Sequence, residues 1–132
     1  MLKGLYYISH RAEKGHRYTF VGVGNLGNLR EPTLSYKVNN KKIEFKLTKD
    51  FTYDGASRPS IFAPIIPRIG KNGGAALVHD FLYKYGKKLN VSRYEADHIF
   101  YQQLVHDGVK PWKAKAMYLA VRAFGWAHYG GG

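Results

Sequence analysis

An α+β fold is predicted by three features of the chain. Apolar and polar residues alternate up to about residue 50, prolines and glycines interrupt residues 51–74, and helical periodicity with defined caps runs over residues 75–129. A length of 132 residues suits one domain, 1–132, built from those three stretches around a shared core.

The first strands are expected at Leu5 to Ile8 and Arg17 to Val23, joined by a polar loop holding Glu13, Lys14 and Gly15. Next comes Gly22-Val23-Gly24-Asn25-Leu26-Gly27, which has the G-x-G-x-x-G spacing of a dinucleotide-binding turn. That motif needs a helix opening at its last glycine. Pro32 and an alternating segment from Leu34 follow instead, so a glycine-rich turn is the better account. Leu34, Tyr36 and Val38 alternate with polar residues, as do Ile43, Phe45 and Leu47 with Lys42, Glu44 and Lys46. Asn39-Asn40 lies between these runs, where residues tolerant of positive φ are wanted, and the whole reads as an antiparallel β-hairpin. From Asp50 to Gly74, Pro59, Pro64 and Pro67 exclude a helix or a central strand. An ordered loop of that length tends to be functional, which draws in Asp54-Gly55-Ala56-Ser57.

Three helices are expected after the loop. The first starts near Gly74 and stops at Gly86, read as its C-terminal cap, with Lys84 in the last turn. The second opens on the capping box Ser92-Arg93-Tyr94-Glu95, carries Ala96, Ile99, Phe100, Gln103 and Leu104 at helical spacing, and ends at Asp107-Gly108. The third begins at Pro111, and Trp112, Ala116, Leu119, Ala120, Ala123 and Phe124 form its apolar stripe, with Lys113, Lys115 and Arg122 away from the centre.

Composition narrows the function classes. The chain has no cysteine, which excludes disulfides and thiolate zinc sites and suits a reducing compartment. Its first residues lack an export signal, and no transmembrane segment is present, so a soluble product is expected. The net charge of +12 implies attraction to polyanions, nucleic acid or acidic lipid, or else a solvated basic surface.

Chemistry concentrates in Val78-His79-Asp80-Phe81-Leu82-Tyr83 and in Asp97 on the next helix. Residues four apart share a helix face, so His79 and Tyr83 line up, while Asp80 is turned by about 100°. Asp97, one turn into the second helix, can approach His79 or Tyr83 if the two helices pack antiparallel. Such a cluster is either a polar knot pinning two helices or the parts of metal-assisted hydrolysis: a histidine oriented by one carboxylate, with another free to hold a cation. Asp54 either caps its own turn or folds over to join His79 and Asp80. His106-Asp107 reads as a helix end, and His10, His16, His98 and His128 have no partner spacing.

Ala75 to Tyr83, together with Asp54-Gly55-Ala56-Ser57-Arg58-Pro59, Ser92 to Asp97 and Met117 to Arg122, resembles the phage and prophage domain-of-unknown-function family numbered thirteen fifty-three, over about residues 43–125. That family carries no activity to transfer. The helical part also resembles secretory and viral-capsid phospholipases A(2), in which one helix bears His-Asp-x-x-Tyr and the next supplies an Asp. The resemblance implies His79 as general base, Asp97 as its orienting partner, Tyr83 as support for Asp97, and Asp80 as a calcium ligand. Backbone carbonyls of a glycine-containing loop complete the calcium site in those enzymes; here Gly55, with Asp54 beside it, or Gly70 to Gly74 could serve, although neither reproduces that loop pattern.

Two readings of function follow from these resemblances. One is a phage-encoded, calcium-dependent lipid esterase used in entry or lysis, docking on anionic phospholipid membrane. The other is a non-enzymatic virion, tail or assembly protein that contacts DNA or other virion proteins through its basic surface. Both imply synthesis in the host cytoplasm, with the virion as a further location. A metal-dependent nuclease ranks last, for want of clustered carboxylates.

Overall fold

A computed structural model describes residues 1–2, 6–11, 17–25, 27–48, 52–53, 73–125 and 129. Strands β1 (Tyr6–Arg11), β2 (Arg17–Asn25), β3 (Asn28–Arg30), β4 (Thr33–Val38), β5 (Lys41–Lys46) and β6 (Thr52–Tyr53) precede helices α1 (Gly73–Leu89), α2 (Arg93–His106) and α3 (Pro111–Phe124). The architecture is α+β, antiparallel strand pairs followed by three helices, as the sequence predicts.

Strand β2 pairs with β1 along one edge and with β3 and β6 along the other, all antiparallel, while β4 and β5 form a separate two-stranded hairpin. That hairpin turns as expected on Asn39 and Asn40, at φ 50° and 66°. Its apolar face, Leu34, Tyr36, Val38, Ile43, Phe45 and Leu47, is buried against Leu77, Val78, Phe81 and Leu82 of α1 and Ile99 of α2. A second cluster joins Ala75 and Ala76 of α1, Phe100 and Leu104 of α2, and Ala114, Met117 and Val121 of α3. Helix α2 therefore lies between the hairpin, α1 and α3, and polar residues on its inner faces must find partners inside the protein.

The capping box is present as read: Glu95 N donates to Ser92 Oγ (3.1 Å) and Ser92 N donates to Glu95 Oε1 (2.9 Å). Several expectations change. Gly22 and Gly24 lie inside β2 and not in a turn, with φ of 142° and 111°. A Cβ at Gly22 would stand 3.0 Å from Leu29 Cβ, so close approach of β3 accounts for that glycine. Strand β6 falls within a stretch expected to lack regular structure; Thr52 and Tyr53 precede Pro59, the first proline of that stretch, and pair with Thr19 and Tyr18. Residues 50–51 and 54–72 of that stretch lie outside the described residues.

Two helix readings are corrected. Gly86 does not cap α1, which runs on to Leu89 and stops before Asn90 at φ 60°. Gly86 serves close packing instead: a Cβ there would be 3.0 Å from Val91 O and 3.1 Å from the Tyr129 hydroxyl. In α3 the buried face is Ala114, Met117 and Val121, whereas Trp112 and Leu119 of the predicted stripe are 70 % and 54 % exposed. The helix carries two apolar stripes on opposite sides. The slimmer one is chosen, because Ala114 lets Phe100 and Leu104 of α2 come close.

Candidate functional site

The short connection at residues 90–92 folds α2 back onto α1, and the predicted triad meets there. His79 Nε2 lies 2.7 Å from Asp97 Oδ1, and the Tyr83 hydroxyl donates to the same oxygen at 2.5 Å. The other carboxylate oxygen accepts from Arg122 Nη1 (2.9 Å) of α3 and, more loosely, from Arg93 Nη1 (3.5 Å). Arg93 also donates to the carbonyls of Val121 and Arg122, each at 3.2 Å, where the C-terminal end of α3 favours a cation. Asp97 and His79 are buried, at 0 % and 1 % exposure.

Burial, charge and hydrogen bonding together set the states of Asp97 and Tyr83. Burial by itself pushes the Asp97 carboxyl up, but hydrogen bonds and charge from His79, then Tyr83 and Arg122, together hold it below the ordinary carboxylate value. Burial, followed by the Asp97 charge, pushes Tyr83 far up, so its hydroxyl keeps its proton and acts as a donor. An ionised Asp97 can only accept, so Nε2 of His79 carries a hydrogen toward it, and the lone pair of an uncharged ring falls on Nδ1. Among the described residues Nδ1 has no hydrogen-bond partner. The imidazole is clamped by Tyr83 and Phe100, with ring centroids 4.2 and 4.7 Å away.

Gly125, one residue past α3, belongs to this geometry. A Cβ there would collide with the Tyr83 hydroxyl, so only glycine leaves room for the Tyr83–Asp97 bond.

The structure thus brings His79, Tyr83 and Asp97 together. Asp80 follows His79 on α1, half-buried. Asp54 and Gly55, the remaining metal candidates, lie outside the described residues. Among the described residues no group of three or more His, Asp or Glu side chains converges as a metal site.

Sequence reading missed both arginines. Arg93 carries a signal, since it stands four residues before Asp97 on one helix face. Arg122 carries none, because its approach depends on how α3 crosses α2. A second buried polar group on α2 was also missed. Gln103 accepts at Oε1 from Leu2 N (3.0 Å) and the Tyr36 hydroxyl (2.6 Å), and Nε2 donates to Leu2 O (2.9 Å) and the Asp107 carboxylate (3.0 Å). At helical spacing among apolar residues it read as part of a stripe.

A model for the family described as "Protein of unknown function (DUF1353)" matches residues 29–121, more than two thirds of the chain. The chain belongs to the DUF1353 family. The DUF1353 region starts at β3 and contains His79, Tyr83, Arg93 and Asp97, while Arg122 and Gly125 fall just beyond it. Neither a curated protein nor a solved structure matches the chain.

Proposed function

We propose that this protein hydrolyses a lipid ester, with His79 as the base that activates water. The reading is carried by the His79–Asp97 pair: Nε2 is tied to a buried carboxylate, and Nδ1, where an uncharged ring holds its lone pair, has no hydrogen-bond partner among the described residues. In the proposed step Nδ1 takes a proton from water, the water oxygen attacks the ester carbonyl, and the alkoxide leaves with the proton returned by the imidazolium. Asp97 stabilises the transient imidazolium, and Tyr83 holds Asp97 in line. The basic surface favours an anionic substrate interface. The phospholipase-like arrangement suits a phage protein acting on the envelope at entry or lysis, made in the host cytoplasm and carried in the virion. Calcium, if used, would draw on Asp80 with Asp54 and Gly55.

One observation favours a second reading. His79 is almost fully enclosed, as a structural knot requires, and in that reading the protein is a non-enzymatic virion, tail or assembly component. Release of fatty acid from mixed anionic and neutral phospholipid vesicles, with calcium or chelator, separates the two. The esterase reading expects release by the parent and at least about a hundredfold less by His79→Asn, with the fold retained by circular dichroism. No release by a folded parent under either condition overturns it, and release unaffected by chelator removes calcium from the account.

A further inference from the structure

Helix α3 presents an uncovered apolar stripe. Trp112 and Leu119, seven residues apart and so within about 20° of each other around the helix axis, are 70 % and 54 % exposed. Ala123 is exposed and Ala116 half-buried on the same side. The opposite side, Ala114, Met117 and Val121, already packs against the core, so the stripe is surplus to folding. Lys113 and Lys115 flank it and exposed Lys110 stands just before the helix, which contains no acidic residue.

We infer that α3 docks this protein on the surface of an anionic phospholipid bilayer, lying in the plane of the interface with Trp112 and Leu119 inserted below the headgroups. The arrangement of charge selects this occupant. A second copy meeting α3 face to face would bring like-charged lysines together. Nucleic acid would want cations along the centre of the contact, where this helix has Trp and Leu. A layer of lipid phosphates over hydrocarbon accepts both parts, with lysines at headgroup level and apolar side chains beneath. Tryptophan is well suited to that boundary. Arg122 is not counted among the docking charges, because it is committed inward to Asp97. The inference extends the lipid-ester reading but stands on different residues, Trp112 and Leu119.

Flotation with equimolar phosphatidylglycerol and phosphatidylcholine vesicles tests it, using ether-linked lipids that offer no ester to cleave. The parent should float with these vesicles, and about tenfold less with neutral ones or at high salt. Trp112→Ser with Leu119→Ser should reduce flotation about tenfold or more without lowering the thermal midpoint, since both side chains are exposed. Lys113→Gln with Lys115→Gln should weaken binding to the anionic vesicles alone. A parent that stays in the soluble fraction overturns the inference, as does a double apolar variant that floats like the parent. So does a dimer, seen by sedimentation, that the apolar variant dissolves while neither protein floats. Flotation without hydrolysis of ester-linked lipid would sink the esterase reading and leave docking intact. Hydrolysis of a soluble short-chain ester by a protein that does not float would do the reverse.

Discussion

Helix α2 holds two buried polar groups, Asp97 and Gln103, both fully enclosed and built on different plans. The Gln103 amide is saturated and neutral: its oxygen takes two hydrogen bonds, its nitrogen gives to a carbonyl and a carboxylate, and the result ties the N-terminal residues and β4 to α2. The Asp97 cluster is charged, gathers residues from all three helices, and leaves one imidazole nitrogen without a hydrogen-bond partner among the described residues. A polar group that only has to join elements spends its hydrogen-bonding capacity. One that keeps a lone pair in reserve beside an oriented carboxylate has the means to move a proton.

The largest effect should come from Asp97→Ala. It leaves His79 and Tyr83 facing a void and two guanidinium groups without their carboxylate, at a cost of about 3–5 kcal/mol in urea denaturation. A loss no greater than that from Gln103→Leu would collapse the distinction between charged and neutral clusters. Gln103→Leu itself should cost about 2 kcal/mol, because Leu2 and Tyr36 lose partners inside the protein. It should leave any ester hydrolysis per folded molecule unchanged; a parallel loss of activity would show that the two clusters are not separable.

Gly125→Ala tests the finer geometry. The added methyl forces the Tyr83 ring away from Asp97, with an expected cost of about 1–2 kcal/mol, which the urea midpoint would read. Activity should fall by more than stability accounts for, and an unchanged activity would remove Tyr83 from the working cluster. The smallest effect is one of pH. Because the folded Asp97 carboxyl lies below its unfolded value of about 3.9, its contribution is complete above that value and is lost as pH falls through the lower, folded one. The parent should therefore lose stability on acidification below about pH 4. Asp97→Asn should flatten that limb while Gln103→Leu keeps it, and identical acid limbs in all three proteins would assign the titration elsewhere.

What the sequence made legible follows how local each feature is. The Asn39-Asn40 turn, the Ser92–Glu95 capping box and Pro111 at the start of α3 are decided within a few residues, and each was readable. So was the His79–Tyr83 face, and Asp97 followed from the expectation that adjacent helices pack. Features decided by distant neighbours were not. Gly86 resembles a cap, yet Val91 and Tyr129 determine its role. The two apolar stripes of α3 are equally periodic, and only the shape of α2 chooses between them. Arg122 and Gln103 acquire their meaning from side chains far away in sequence, to which no spacing rule applies.

The bond between Leu2 N and Gln103 Oε1 spans 101 positions of the chain. Contacts of that separation close large loops, whose entropy cost slows folding. During synthesis the N-terminal residues leave the ribosome long before their partner on α2 exists, so their anchorage waits for most of the chain to emerge. The hairpin of β4 and β5 is in the same position, since the helices that cover its apolar face are made after it. Burial of the hairpin's apolar face therefore waits for the helices, and a block in helix formation should leave that face exposed to other chains.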